Sequence, residues 1–345
     1  MYKKYGKLIC IYDLENHKTI KYDDSSKSLL DDKGKVLCFQ IENEEDFIYN
    51  DKNISFENFP WKTYYKINKE LLSNDKKNNT KINAWNHWFY NGKNEERSFS
   101  YTNNTNGHRA RFGNLFFLNM CLHLFSIKYN LKSSYKYETE FNELGVYFHK
   151  GSKIYSKNYL LTDYNFENLL ESDASAKNVI INNDVWFHTK RFCTIIKTYF
   201  TENKLFSKII EKNHYRDRYN NNNDLFIHIR LGDVENITKN LFLYYENTIQ
   251  LIKFNNGYIA SDNFDHEICL YLSKKHNLKF INENEIKTIM FASTCKHIIL
   301  SGGTFSWLIA FLAINSKNIF YPELKEKWYG DIFSFNNWNA VNLDY

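Results

Sequence analysis

Three short segments in the last third of the chain carry polar side chains where chemistry can be done. They read His228-Ile-Arg230-Leu-Gly232-Asp233, Ser261-Asp262-Asn263, and Ser301-Gly302-Gly303-Thr304-Phe305-Ser306-Trp307. Each follows a short apolar run of the kind that forms a buried strand. His228 and Arg230 are two residues apart, so an extended backbone turns them to one face. Arg230 offers a permanently charged, bidentate clamp for an anion. Gly302 and Gly303 let the main chain approach a ligand closely, and Thr304 or Ser306 is placed to cap the helix that follows. The free N–H groups and dipole of that helix start favour a phosphate, with Gly303, Thr304, Phe305 and Ser306 around it. Ser261 and Asp262 can accept hydrogen bonds from a base or a sugar. Singly, each cluster has a plain alternative: a satisfied core histidine, an Arg230–Asp233 ion pair, a helix N-cap at Ser261-Asp262, a simple glycine turn. Jointly, on three strand ends, they read as a pocket for a nucleoside diphosphate.

The elements that must position these residues alternate along the chain. Strands are expected at Leu225–Ile229, Gly257–Ala260, Leu278–Ile281, His297–Leu300 and Asn318–Tyr321. Helices are expected between them at Tyr244–Phe254, Asp265–Lys275, Glu285–Cys295 and Phe305–Ile314. This alternation predicts βαβ units and a doubly wound parallel sheet with helices on both faces, whose ligands lie at the carboxyl ends of the strands. Upstream, Arg111 to Asn130 predicts a loop and a long apolar helix, buried because it is apolar nearly all round. Asp184–Tyr199 and Lys204–Asn213 predict two amphipathic helices, and the polar run Arg216–Asp224 is the best candidate for an interdomain linker. The first ~95 residues read as short strands (Leu8–Tyr12, Val36–Ile41, Tyr64–Ile67) and polar turns, with 71–81 a loop. Trp85, Trp88 and Trp186 are expected in the core.

Composition narrows the function. The chain has 345 residues, enough for two domains, and its 18% aromatic content excludes disorder. Lys and Arg number 45 against 40 Asp and Glu, a net charge of +5, and they are interspersed rather than blocked. That argues against a nucleic-acid grip but leaves room for a local cationic pocket. The six cysteines form no C-x-x-C pair, which excludes zinc fingers of the usual spacing and favours buried thiols. Met1 to Cys10 lacks the apolar core of a signal peptide, and no run is long enough to span a membrane. The expected location is therefore cytoplasmic, with contact to a membrane surface left open. No G-x-x-x-x-G-K-[ST] loop, G-x-G-x-x-G turn or D-x-D pair occurs. A P-loop enzyme is therefore not expected, a dehydrogenase is weakened, and Arg230 with the helix start would hold a diphosphate without metal.

The motifs resemble a known family. His228-Ile-Arg230-Leu-Gly232-Asp233 is similar to the H-x-R-R-x-D motif of α1,2-, α1,6- and protein O-fucosyltransferases. Tyr258 to Asp262 resembles their second motif, and Ile289 to Trp307 their third, which in α1,2 enzymes ends in a Ser-x-Phe-Ser-Trp-Trp run. Arg111-Phe-Gly-Asn114-Leu-Phe-Phe looks like a weak form of their G-x-x-G-N-Q-x-F loop. The resemblance spans roughly 107–330; Leu231 stands where the second arginine would be, Leu308 replaces the second tryptophan, and the Gln after Gly-Asn is absent.

The resemblance implies an α/β, GT-B-like architecture of two Rossmann-like domains. Residues 1–95 would be an accessory region, 96–220 an acceptor-side domain and 221–345 the nucleotide-sugar domain. It implies inverting, metal-independent transfer of fucose from GDP-fucose to a hydroxyl of a glycan or glycolipid, with no cofactor. Arg230 would bind the diphosphate, His228 and Asp262 guanine or ribose, and Thr304 and Ser306 phosphate. Asn114 would lie at the interdomain cleft. Asp233 is the candidate base, with ordering of the Arg230 loop as its alternative role. A donor other than GDP-fucose, or a non-catalytic nucleotide- or glycan-binding protein of the same fold, are the rival expectations. Acceptor, linkage and oligomeric state are not legible.

Overall fold

In a computed structural model of the chain, residues 59, 61–73, 79–92, 103–155, 157–182, 184–232, 241–324, 327, 329–334 and 338–343 are described, with short strands between residues 3 and 49. The chain divides into two compact units, Met1–Phe47 and Ile48–Tyr345. The first is an antiparallel meander of Lys3–Tyr5, Leu8–Asp13, Lys18–Asp23, Ser28–Leu30 and Val36–Leu37, each strand beside its sequence neighbour. The remainder of the strand expected at Val36–Ile41 lies outside the described residues.

The second unit is mixed α/β and is built on a six-stranded sheet whose pairings are all parallel. Its spatial order is Leu278–Phe280, Gly257–Ser261, Leu225–Ile229, His297–Ile299, Asn318–Glu323, Asn339–Asn342. In chain order this is 3-2-1-4-5-6, the order of a Rossmann-like sheet. Leu225–Ile229 is buried along its whole length, which is why its apolar run does not alternate. The helices Phe242–Gln250, Glu267–His276, Glu285–Ala292 and Gly303–Leu312 connect the strands in turn. The sixth strand escaped the sequence because Asn339–Asn342 is short, polar and mostly exposed.

Upstream of the sheet, the 18-residue helix Phe112–Tyr129 is buried on nearly every side, as its all-round apolarity requires. It packs on Gly303–Leu312, with the Phe117 ring 4.8 Å and the Phe116 ring 6.1 Å from Trp307. One continuous core therefore runs from this helix into the sheet. Asn158–Leu161 and Asn178–Ile181 pair in parallel around the short helix Phe166–Glu171, a small βαβ unit. The run 216–224 folds as a 3-10 turn, Arg216–Arg218, and Arg218 fastens it to Asp224 (2.9 Å) and Thr294 (3.0 Å).

Several expectations are corrected. Tyr64–Ile67 belongs to a helix, Trp61–Ile67, not a strand. Its tyrosines suit a strand by composition, but the aromatic spacing Trp61, Tyr64, Tyr65 is helical, and it buries Tyr64 and Tyr65 beside Phe59 and Trp88. The segment 71–81 begins inside a 3-10 turn and ends on a helix that Thr80 caps, while 74–78 are outside the described residues. The helix expected from Asp184 begins only at Lys190, capped by Thr189, because residues 184–189 form a tight turn through Phe187 at φ +58°. Trp88 is buried, whereas Trp85 and Trp186 are half-buried. Cys121, Cys193, Cys269 and Cys295 are buried free thiols. Among the described residues, no helix is long and apolar enough to cross a membrane.

Candidate functional site

Strand order reverses between the first strand, Leu225–Ile229, and the fourth, His297–Ile299. Their following loops leave in opposite directions, and a crevice opens at the carboxyl ends. A cavity of about 980 Å³ lies there, bounded by Arg230, Ser261, Asp262, Gly303, Thr304 and Phe305 on the sheet side. The facing wall carries Arg109, Arg111, Gly113 and Asn114, and further along it Trp186 and His188.

On the sheet side, Asp262 holds the arginine loop. Its Oδ1 accepts the Leu231 N–H at 2.8 Å, and its Oδ2 lies 3.4 Å from Arg230 Nε. A Cβ at Gly232, where φ is +33°, would sit 2.6 Å from Asp262 Oδ2, so the loop can turn this closely only through glycine. Leu231 is 1% exposed and points away from any ligand. Asp233, the candidate base, lies outside the described residues. Ser261 and Asp262 line the cavity as expected, but Asp262 spends both oxygens on the arginine loop.

The helix start behaves differently from its expected form. Gly302 at φ +92° is the N-cap, and no side chain caps the helix. Thr304 instead donates its hydroxyl to Asn114 Oδ1 at 2.5 Å, joining the two walls. Ser306 is fully buried; its Oγ lies 2.6 Å from His228 Nδ1 and 3.2 Å from Ser301 Oγ. His228 lines the cavity while Ser306 stands behind it. The expected cap is absent because a glycine at positive φ already turns the chain into the helix, which leaves the hydroxyls to other partners.

The helix Phe112–Tyr129 starts against this point. A Cβ on Gly113 would lie 2.5 Å from Phe305 N and 2.7 Å from Thr304 C. Two helix N-termini thus abut beside Arg230, and each brings unpaired N–H groups and partial positive charge. Arg109, Arg111 and Lys136 add charge on the same wall. Glu283 and Glu285, beyond the third strand, also line it. The lining therefore carries both signs, with Glu140 beside Lys136. Apart from Asn114 and its loop from Arg111, the wall residues were not revealed by spacing, since segments 109–111, 136–140 and 186–188 meet only in the fold. The pair Arg109-Ala-Arg111 ahead of the helix was the one signal available.

His188 makes a third feature. Its Nε2 is enclosed yet has no hydrogen-bond partner, which ordinarily costs about 1–3 kcal/mol for a buried polar group. The residue belongs to the turn Trp186-Phe187-His188. Asp163 Oδ1 accepts the N–H groups of Trp186 (3.1 Å) and Phe187 (2.6 Å), and that grip holds Phe187 in the left-handed region.

The buried histidines set an acid limit. Burial, with the Arg230 charge second, pushes His228 down to about 3. Burial, with His149 second, lowers His123 to about 4, and burial alone lowers His188 to about 4. Unfolded imidazoles titrate near 6.5, so below that pH the unfolded chain binds more protons and the fold loses stability. The contribution is complete above about pH 6.5 and drains as pH falls toward 4, by up to about 1.4 kcal/mol per unit for each histidine. Thermal unfolding followed from about pH 7 to about pH 4.5 should show a falling Tm, and His228→Gln should make the fall shallower by the share of that one histidine. A level profile above about pH 5 would contradict this assignment.

Among the described residues, no group of three or more His, Cys, Asp or Glu side chains could hold a metal ion. Compared with known proteins, the chain matches no family model, no curated protein and no solved structure.

Proposed function

We propose that the chain is an inverting, metal-independent glycosyltransferase that moves fucose from GDP-fucose to a hydroxyl of a glycan or glycolipid. In this reading the architecture is GT-B-like, residues 221–345 hold the donor and residues 96–220 form the acceptor side. One observation carries it: Arg230 and the Gly302–Thr304 helix start face one cavity at the switch point of a 3-2-1-4-5-6 parallel sheet, with a second helix start against them. Such a place suits a diphosphate, since peptide N–H groups and a guanidinium surround it without a long side-chain network.

The chemistry follows from that charge. The acceptor oxygen attacks the anomeric carbon while the carbon–oxygen bond to the diphosphate breaks, and the electron pair leaves with GDP. Arg230 and the helix N–H groups stabilise the charge that develops on the departing phosphate. Asp233 remains the candidate for taking the acceptor proton. A second reading keeps ligand binding and drops turnover. The pairing of Arg230 with Asp262 favours it, because a neutralised guanidinium stabilises a leaving group less.

The test is thermal stability with GDP, GDP-fucose, GDP-mannose, UDP and CMP in turn. A ligand at about 100 times its Kd adds roughly 2.7 kcal/mol. Shifts with GDP and GDP-fucose are expected, together with GDP release from GDP-fucose once an acceptor is supplied. A shift with UDP alone would keep the fold and discard fucose. GDP binding with no release beyond slow hydrolysis would favour the binding-protein reading.

A further inference from the structure

We propose that the turn Trp186-Phe187-His188 is the acceptor subsite of this cavity, where one pyranose ring stacks on the Trp186 indole and one of its hydroxyls hydrogen-bonds the His188 imidazole. The proposal rests on the transferase reading and names where the second sugar sits.

Four observations on this turn point the same way. Trp186 and His188 both line the cavity. Their rings are near-parallel, at 28° with centroids 6.2 Å apart, and the buried Phe117 ring backs His188 at 5.0 Å, which fixes the pair in place. The enclosed Nε2 of His188 has no hydrogen-bond partner among the described residues, although buried polar groups nearly always do. The turn is also held on both sides. Asp163 grips two of its N–H groups, and the main chain of Gly330 lies so close that a Cβ there would meet His188 O at 2.3 Å.

The chemistry of a pyranose matches this edge. Its C–H face is apolar and stacks on an indole, while its rim carries hydroxyls that both donate and accept. His188 is uncharged at neutral pH, since burial holds it near 4, so it offers a neutral donor and acceptor to such a hydroxyl. Asp163 touches no ligand in this scheme; it is a positioning residue that fixes the angle of the two rings.

The experiment uses the full chain saturated with GDP. Methyl β-galactoside and methyl β-N-acetylglucosaminide are the probes, read by saturation-transfer NMR. Trp186→Ala should weaken glycoside binding at least ~10-fold, about 1.4 kcal/mol, while Trp186→Phe keeps most of it. Asp163→Ala should weaken it too, and Asp163→Asn, which retains the accepting oxygen, should restore it. If Trp186→Ala fails to fold, His188→Leu reads the same subsite. GDP affinity by calorimetry separates the two levels. Glycosides that bind the wild type and Trp186→Ala alike, or that bind neither while GDP still binds, overturn the subsite and leave the transferase standing. Failure of GDP to bind the wild-type chain overturns the transferase reading, and the subsite with it.

Discussion

Arg230→Ala should slow GDP release from GDP-fucose by at least ~100-fold. That factor is about 2.7 kcal/mol of transition-state stabilisation, the usual worth of one well-placed group on a developing anion. The reason is local. Leu231 is buried and brings no charge, so among the described residues Arg230 is the guanidinium that the sheet side contributes to the cavity lining. The neighbouring Asp262 keeps its hydrogen bond from Leu231 N–H in the variant, so the loop should hold its shape and the loss should fall on chemistry. Arg230→Lys keeps a charge without the fork and should lie between the two. The measurement is kcat and KM for GDP-fucose in wild type and both variants. Near-normal turnover by Arg230→Ala would remove Arg230 from the mechanism.

Trp307→Ala should cost about 3–5 kcal/mol of stability. Trp307 is fully buried, its Nε1 donates to Ile332 O at 2.8 Å, and its ring stacks on Phe311 at 4.7 Å. It also meets Phe116 and Phe117 of the long helix, so it joins the sheet half of the unit to the helix that forms the facing wall. Truncation leaves a cavity where these rings met and strands the Ile332 carbonyl. Urea unfolding gives the number, and a loss under about 2 kcal/mol would mean the surroundings collapse to refill the space. Trp307→Phe, which retains a ring, should lose less.

The centre of the sheet was legible because Leu225–Ile229 and His297–Ile299 are buried on both faces. An unbroken apolar run such as Leu225–Ile229, bounded by polar turns, has few other uses in a chain with intervening helical segments. That same regularity placed Arg230, Asp262 and Gly302–Thr304 on neighbouring strand ends, and the fold brings those three together. What failed to show was whatever depends on partners distant in sequence. Ser306 reads as a phosphate donor until His228 is seen against it. Thr304 reads as a cap until Asn114, from another part of the chain, takes its hydroxyl. Trp186 and His188 gave no pattern at all, because the carboxylate that shapes their turn sits at Asp163, before the small helix of the βαβ unit. Local spacing encodes elements, and long-range contact decides which side chains are left for a ligand.

The bare contact at Gly113 bears on how such a molecule changes over generations. In the proposed reading, recognition at the abutting helix starts would be done by peptide N–H groups, which every residue but proline supplies. In that reading a hydroxyl around it, such as that of Thr304 or Ser306, could be exchanged while the main-chain contact stayed, whereas Arg230 could not. Only a change of contour ends the contact, such as a side chain at Gly113 or a branched residue where Gly302 turns at φ +92°. On this reading, selection on the junction would act on shape more than on spelling. A lineage built on it would keep its glycines while the motif around them wore away.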